Sequence, residues 1–205
     1  MHFTLTDLVT DITQNGAESG ADLVELSVEE TVASAGKREF RFTVKDNGKG
    51  MSSEELSRAQ DPFITDGIKH PGRKVGLGIP FLIQTAQQSG GGWDIKSEKK
   101  NGTPVSGETA TDCGTEISAW FDLDNVDTPP LGDIPGMFRT VLLFTGPDEM
   151  VIRRFRASAP GAGGEGHVEY EIRKTELSDA LGNLEDAQSL ILLDQYLRSL
   201  EDDEE

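Results

Sequence analysis

The segment REFRFTVKD places an aromatic or β-branched residue at every second position and then runs directly into an acidic, glycine-rich sequence, DNGKGM. Phe40, Phe42 and Val44 alternate with polar residues, which predicts a strand with one buried face. The strand therefore delivers Asp46 to its end, beside glycines that leave space. A carboxylate there can accept a hydrogen bond from an exocyclic amino group, such as that of adenine. The DNG sequence is also a strong turn signal, and taken alone it favours a simple turn.

The N-terminal segment predicts a helix over residues 3 to 19. Its apolar stripe consists of Leu5, Leu8, Val9 and Ile12. Asp11 and Asn15 are four residues apart, so they share a side of this helix. An amide oxygen can ligate Mg²⁺, and a carboxylate one turn earlier can order or deprotonate a water. Taken alone, the pair is better explained as an ordinary solvated helix face.

Two further patterns are weak individually. Residues 61 to 78 predict a loop that leads into a helix, and three glycines open that helix start: Gly72, Gly76 and Gly78. Free N–H groups and the helix dipole favour phosphate there, although a flexible loop with a helix cap is the alternative. Gly114 and Thr115 begin a later strand. The threonine hydroxyl can hydrogen-bond a base or a water near Asp46, but by itself it indicates almost nothing.

The other segments alternate between helix and strand patterns. Strands are predicted in ADLVELSVEET, GWDIKSEKK, GTEISAWFDL, FRTVLLFTG, EMVIRRFRAS and HVEYEIRK, and helices in SSEELSRA and IPFLIQTAQQSGG. Near residue 125 the composition shifts, and NVDTPPLGDIPG predicts a linker or crossover. From Leu177 onward the pattern predicts a helix with a seam of Leu190, Leu193, Leu197 and Leu200. That seam either packs on the preceding strands or serves homodimerisation or docking to a partner helix.

The formal net charge of -18 argues against binding to nucleic acid or to an anionic membrane, because both need a positive field. It does not exclude an anionic small ligand held by backbone N–H groups and a metal ion. The single cysteine, Cys113, rules out a disulfide within the chain and favours a reducing, cytoplasmic setting. We see no signal peptide and no apolar run long enough to cross a bilayer.

In this order, the motifs resemble those of the GHKL superfamily of ATP-binding domains, found in type II topoisomerases, heat-shock protein 90, sensor histidine kinases and MutL. DITQNGAESGA is similar to the N box, DNGKGM to the first glycine box, GLGIP to the second and GTEI to the last. DPFITD resembles the phenylalanine box of histidine kinases, so a stand-alone domain of that branch fits best. The resemblance covers about residues 3 to 124. It implies a histidine kinase-like ATP-binding domain over 1–125, followed over 126–205 by an extension of strands, a terminal helix and an acidic tail.

The resemblance also implies the fold, an α/β two-layer sandwich of the Bergerat type. Its sheet would be mixed and mostly antiparallel, with helices on one face. ATP would bind between the helices and a lid formed by about residues 61 to 78. Four basic residues of that lid are candidates to contact the γ-phosphate: Lys69, His70, Arg73 and Lys74.

Individual positions acquire roles through the same resemblance. Asn15 would be the Mg²⁺ ligand that bridges the phosphates. Asp46 would read the adenine amino group, and Thr115 would support Asp46 through a water. Two glycines would let the base approach the backbone, namely Gly48 and Gly50. The remaining nucleotide-binding positions would be Lys74, Gly76, Leu77 and Gly78. Of these, the two glycines would lie at the triphosphate.

Two departures from the family pattern bear on activity. Hydrolysing members usually have glutamate four residues before the N-box asparagine, as the general base. Here the candidate catalytic residue is Asp11, which is one methylene shorter and so has less reach to a water. Typical histidine kinases carry a phospho-accepting histidine on a helical segment before this domain. We expect that none of the three histidines, His2, His70 and His167, has that role.

We therefore expect a cytoplasmic protein that binds Mg²⁺ and ATP and has a regulatory role. It would hydrolyse ATP slowly or transfer phosphate to a separate partner protein. One alternative is an ATP-sensing binding module or complex subunit with little or no turnover. Another is a scaffold that has lost nucleotide, and the retained Asn15, Asp46 and glycine boxes argue against it.

Overall fold

The computed structural model describes residues 3–32, 36–61, 78–99, 113–157 and 167–202, and arranges them as one sheet with helices packed on it. The strands are β1 (Leu23–Val32), β2 (Arg38–Asp46), β3 (Gly92–Glu98), β4 (Gly114–Asp122), β5 (Glu149–Ala157) and β6 (His167–Arg173). The helices are α1 (Leu5–Ala17), α2 (Ser53–Gln60), α3 (Gly78–Gln88), α4 (Ile134–Leu142), α5 (Lys174–Leu181) and α6 (Ala187–Glu201). None of these described helices is long and apolar enough to cross a membrane.

The six strands lie in the order β3-β4-β2-β1-β5-β6. Only β1 and β5 run parallel, and every other neighbouring pair in this described sheet is antiparallel. Because β2 and β1 lie between β4 and β5, the chain crosses over two strands between them, and α4 lies on this crossover. The predicted α/β sandwich with a mixed, mostly antiparallel sheet is confirmed.

One face of the sheet is apolar and carries the helices. Phe40 and Phe42 of β2 pack against Phe121 of β4, with ring centroids 6.2 to 6.4 Å apart. The predicted stripe of α1 packs into the same buried core: Leu5, Leu8, Val9 and Ile12. The alternation read from the sequence therefore places the core correctly between α1 and the sheet.

Polar side chains cover the opposite face of the sheet. Arg153 of β5 lies between Glu25 of β1 and Glu171 of β6, with a nitrogen–oxygen distance of 2.8 Å to each. The Arg41 guanidinium lies 4.7 Å from the centre of the Trp120 ring. Such cross-strand pairs suit a face that is open to solvent.

The start of α1 is held by its own cap and by the crossover. Thr4 and Asp7 form a capping box, in which each side chain accepts a hydrogen bond from the other residue's N–H. The next two N–H groups donate to the carbonyl oxygens of Pro130 and Leu131, both at a distance of 2.9 Å. These bonds satisfy donors that a helix start leaves free, and they fix the crossover to the helix.

The segment FRTVLLFTG was predicted as a strand, and this is wrong, because most of it belongs to helix α4. The buried residues of α4 recur at the spacing of one helix face: Ile134, Met137, Phe138, Val141 and Leu142. Pro135 lies in the first turn, where its missing N–H is not needed. The prediction failed because it assigned this first turn to the linker, and the short apolar run that remained is typical of a strand.

The predicted C-terminal helix consists of two helices. Gly182 adopts a φ of 77° after α5, which ends the helix, and α6 begins only at Ala187. The prediction of one continuous helix is therefore wrong for residues 182–186. Leu193 and Leu197 of the leucine seam are fully buried in the core, so the seam is used within the chain.

A buried arginine joins α6 to the sheet. Arg154 of β5 is 1% exposed, and its guanidinium donates to Glu201 at 3.0 and 3.2 Å, to Glu30 of β1, and to the Phe155 carbonyl at 3.0 Å. The Tyr170 hydroxyl of β6 donates to the same Glu201 carboxylate. Burial acts to lower the pKa of Arg154, but the two glutamates outweigh it and hold the pKa above its usual value. The last turn of α6 is thus fixed to three neighbouring strands.

The C-terminal residues therefore extend the same sheet. Residues 126–157 and 167–202 contribute β5, β6 and the helices α4, α5 and α6. The predicted domain boundary after residue 125 stays a prediction.

We expect Glu201→Ala to lower the free energy of unfolding by about 3 kcal/mol, because it removes one of the two carboxylates that pair with the buried Arg154 charge. Urea denaturation followed by circular dichroism measures the change. Asp202→Ala, at an exposed neighbouring carboxylate, is the matched control and should have little effect. Equal midpoints for the two variants would contradict the role of the buried pair.

A second ion pair fastens α2 to the end of β3. The Lys99 ammonium donates to both Glu55 oxygens, at 2.8 and 3.0 Å, and Glu55 also accepts from the Ser52 N–H at 2.7 Å. The hydrogen bond from Lys99, followed by those from Ser52, lowers the pKa of Glu55 to about 2. The carboxylate is exposed, so this pair positions α2 without a large effect on stability.

We expect Lys99→Met to raise the pKa of Glu55 toward its ordinary value of 4.5, as measured by NMR titration of the side-chain carboxyl carbon. In the wild type, the ionised carboxylate is favoured by folding. Its contribution is therefore present above pH 4.5 and is lost as the pH falls toward about 2. Lys45→Met, on the exposed sheet face, is the control. A Glu55 titration that is unaffected by Lys99→Met would show that the pair does not persist in solution.

Candidate nucleotide site at the end of the first helix

Asp46, the last residue of β2, is a buried acidic group that is 7% exposed. Its Oδ1 accepts hydrogen bonds from the Ser19 hydroxyl and the Gly48 N–H, each with a donor–acceptor distance of 2.9 Å. Burial raises the pKa of this carboxyl, while the hydrogen bonds from Gly48, Ser19 and the Thr115 backbone oppose the rise. Oδ2 accepts no hydrogen bond from a side chain in the described part of the chain. The site thus contains a largely buried carboxylate with one oxygen to which no described side chain donates.

The two glycines after Asp46 are required by the packing of the turn itself. A Cβ atom on Gly48 would lie 1.9 Å from the Ser19 Oγ, so Gly48 leaves the room that this hydroxyl occupies. Gly50 has a φ of 62°, and a Cβ there would lie 1.8 Å from the Glu98 carbonyl oxygen. The packing of the turn alone therefore explains why both positions are glycine. Their predicted role, to let a base approach the backbone, stays a prediction.

Two polar side chains fasten this turn to the sheet. The Asn47 side-chain oxygen accepts from the N–H groups of Asp22 and Leu23, at 3.0 Å each. On the other side, the Ser97 hydroxyl accepts from the Met51 N–H at 2.8 Å. The turn is therefore held at both ends by strands β1 and β3.

Thr115 lies beside Asp46, as the sequence suggested. The two residues are direct partners in the antiparallel pairing of β2 with β4. The Thr115 hydroxyl is hydrogen-bonded to the Ser97 hydroxyl over 2.8 Å. Gly114 allows the close approach of the strands, because a Cβ there would lie 1.9 Å from the Asp46 carbonyl oxygen. Ser97 and Thr115 thus form a polar wall next to the carboxylate.

Asp11 and Asn15 lie on the exposed side of α1, one turn apart. The Asn15 Nδ2 is 3.5 Å from the place that a Cβ would take on Gly78, the first residue of α3. Within the described ranges, the Asn15 side chain makes no hydrogen bond, so its amide oxygen is open to a ligand. No group of three or more His, Cys, Asp or Glu side chains in those ranges is arranged to hold a metal ion.

Gly16 brings the two halves of the site together. A Cβ on Gly16 would lie 3.5 to 3.6 Å from Val44, Asp46 and Val24, so the last turn of α1 rests directly on β1 and β2. Asn15, the preceding residue, is thereby held at the same end of the sheet as Asp46. The predicted N box and first glycine box therefore meet in space.

Part of the predicted site lies outside the described residues. Three nucleotide-binding positions, Lys74, Gly76 and Leu77, belong to residues 62–77. So do most of the predicted lid and its other basic candidates, Lys69, His70 and Arg73. Their roles stay predictions.

Sequence reasoning missed three residues that build the site. Ser19 bonds Asp46 across 27 positions of sequence, and a serine after a helix gives no signal of such a contact. Ser97 lies in a strand whose pattern indicated only alternation. Gly16 carried a usable signal, because a glycine inside an otherwise helical pattern often marks a close approach.

The arrangement suits a ligand with an amino group at one end and anionic groups at the other. Asp46 offers an oxygen of a largely buried carboxylate, and Asn15 offers an amide oxygen beside the start of α3. The N–H groups and the dipole at a helix start favour anions. A purine nucleotide has these two features in one molecule.

Comparison with known proteins gives an independent result. Residues 3–125 match the model of the family described as histidine kinase-, DNA gyrase B-, and HSP90-like ATPase. Among solved structures, the chain is similar to the Aquifex aeolicus MutL ATPase domain complexed with ADP, with 16% sequence identity and a TM-score of 0.41. That similarity covers 76% of this chain and 60% of the MutL chain, so the protein spans less than two thirds of the MutL chain's length.

The family match includes the N box, the DNGKGM turn and the GTEI strand, and it extends over more than half of the sequence. The resemblance inferred from the motifs is confirmed. The chain therefore belongs to the histidine kinase-, DNA gyrase B- and HSP90-like ATPase family, and this membership implies that it binds ATP.

Proposed function

We propose that this protein binds Mg²⁺–ATP at the end of α1 and either hydrolyses it slowly or transfers its phosphate to a separate partner protein, in a regulatory role. The observation that carries the proposal is the packing of Gly16, which holds Asn15 and Asp46 at one end of the sheet. The adenine would lie at Asp46 and the phosphates at Asn15 and Gly78.

Asp46 supports the adenine end of this proposal. Its Oδ1 already accepts two hydrogen bonds, so Oδ2 is the oxygen left for the adenine amino group. A hydrogen bond to a charged acceptor away from water is stronger than one between neutral groups. A water between Thr115 and the base would complete the contact, as the family resemblance suggests.

Asn15 supports the phosphate end. Its open amide oxygen is the kind of ligand that Mg²⁺ accepts, together with phosphate oxygens and waters. When bound, Mg²⁺ would neutralise charge on the phosphates. Gly78 would leave space for the phosphates beside Asn15 and would present the start of α3 to them.

The role of Asp11 bears on whether the protein hydrolyses ATP or only binds it. It lies one turn before Asn15 on the exposed side of α1, where a general base would need to meet a water near the phosphates. The shorter aspartate side chain favours slow chemistry. The same feature supports the alternative function, an ATP-sensing module or complex subunit with little or no turnover.

We expect Asp46→Asn to weaken ATP binding by about 10- to 100-fold, the effect of losing a hydrogen bond to a charged acceptor. The Ser19 and Gly48 donors should hold the asparagine oxygen in the place of Oδ1. The amide NH₂ would then meet the adenine amino group, donor against donor. Isothermal titration calorimetry with and without Mg²⁺ measures the affinity.

Thermal unfolding serves as the control for Asp46→Asn. Since burial disfavours the charged carboxylate, the variant should unfold at a temperature no lower than the wild type. Unchanged ATP affinity in a folded Asp46→Asn protein would remove Asp46 from the site.

We expect Asp11→Asn to abolish phosphate release while leaving ATP affinity within about twofold, because a general base acts on the water and not on the bound ground state. Asp11→Glu supplies the longer side chain that is usual in hydrolysing members of the family, and it should raise the rate of phosphate release. A coupled phosphate-release assay under saturating Mg²⁺–ATP, with each variant's affinity measured separately, makes the comparison.

The wild-type protein tests intrinsic hydrolysis in the same assay. Tight ATP binding with no phosphate release, in wild type and in Asp11→Glu alike, would contradict intrinsic hydrolysis and leave phosphate transfer to a partner or ATP sensing. Phosphate release that persists in Asp11→Asn would exclude Asp11 as the base.

A further inference from the structure

We propose that Ser19 is a positioning residue, which fixes the Asp46 carboxylate so that one chosen oxygen meets the purine 6-amino group. This inference rests on the proposed binding of ATP at Asp46 and names a residue that sets the preference for a 6-aminopurine.

The backbone around Ser19 holds its side chain in place. Its N–H donates to the Gly16 carbonyl at 3.1 Å, and its own carbonyl accepts from the Lys49 N–H at 3.2 Å. Ser19 therefore joins the end of α1 to the glycine-rich turn on both sides of Asp46. Its hydroxyl enters the space that Gly48 leaves open, where even a methyl group on Gly48 would collide with it.

The hydrogen bonds around Asp46 give the carboxylate one orientation. Both the Ser19 hydroxyl and the Gly48 N–H donate to Oδ1, at 2.9 Å each. A carboxylate with two donors on one oxygen resists rotation about its terminal bond. Without Ser19, the backbone donors at Gly48 and Thr115 would remain and would constrain the group less. Fixing Oδ1 in this way presents Oδ2 to the ligand in the free protein, before any nucleotide arrives.

The chemistry of the purine ring makes this orientation selective. Adenine carries an amino group at position 6, which donates to a carboxylate oxygen. Guanine and hypoxanthine carry a carbonyl there, which would face the carboxylate acceptor against acceptor. Purine riboside carries only hydrogen at that position, so its triphosphate isolates the contribution of the amino group.

The test compares ATP with purine riboside triphosphate in wild type and in Ser19→Ala by isothermal titration calorimetry with Mg²⁺. We expect Ser19→Ala to weaken ATP binding by about fivefold, as for the loss of one ordinary hydrogen bond. Binding of purine riboside triphosphate should stay within error. The ratio of the two affinities reports on the orientation of Asp46, and a general loosening of the site would lower both affinities together.

Two further variants serve as controls for Ser19→Ala. Ser199→Ala, on α6, removes a hydroxyl that bonds only its own helix and should leave both affinities unchanged. Ser19→Thr keeps the hydroxyl and should keep the wild-type ratio, which makes the test independent of how well Ser19→Ala folds.

The outcomes separate this inference from the proposed function. If wild type prefers ATP and Ser19→Ala leaves that preference unchanged, or weakens both nucleotides equally, the positioning role is overturned and ATP binding stands. If Ser19→Thr loses the preference as Ser19→Ala does, the hydroxyl is not the cause. If wild type binds neither nucleotide, the proposed function itself is overturned.

Discussion

The close packing of Gly16 on the ends of β1 and β2 is the contact on which the candidate site depends. A Cβ at this position would lie 3.5 to 3.6 Å from Val44, Asp46 and Val24, so the last turn of α1 already packs in van der Waals contact with the two strands. This contact places Asn15 at the same end of the sheet as Asp46, and Ser19, just beyond the helix end, donates a hydrogen bond to the carboxylate. Three polar groups from two distant motifs are thus held at one end of the sheet by the packing of this helix turn.

Much of the fold, and the meeting of Asn15 and Asp46 in the candidate site, follows from local patterns. The alternation in β2 and the apolar stripe of α1 each predict an element, its buried face and the residue it delivers to the site. The errors arose where a pattern was cut short, as in α4, or where a single glycine divides a helical stretch, as at Gly182. Ser19 could not be found in this way, because its partner is distant in sequence and a serine has many ordinary uses at a helix end.

The C-terminal residues are structurally part of the arrangement that carries the site. β5 pairs in parallel with β1, and the backbone at Pro130 and Leu131 accepts from the first N–H groups of α1. The helix that bears Asp11 and Asn15 is therefore held at its start by the crossover and at its end by the glycine-rich turn. The crossover is therefore bonded directly to the helix that carries the residues proposed to contact phosphate.

The buried Arg154 has a consequence for the order in which the protein is made. During synthesis β5 emerges before α6, so Arg154 leaves the ribosome while its principal partner, Glu201, is still to come. Until then a guanidinium would have to be buried with only Glu30 beside it, which is costly. The half of the sheet nearest β5 should therefore close only after translation has passed α6. Until that moment the face of the sheet that α6 covers would stay exposed in the nascent chain, and exposed apolar surface favours aggregation.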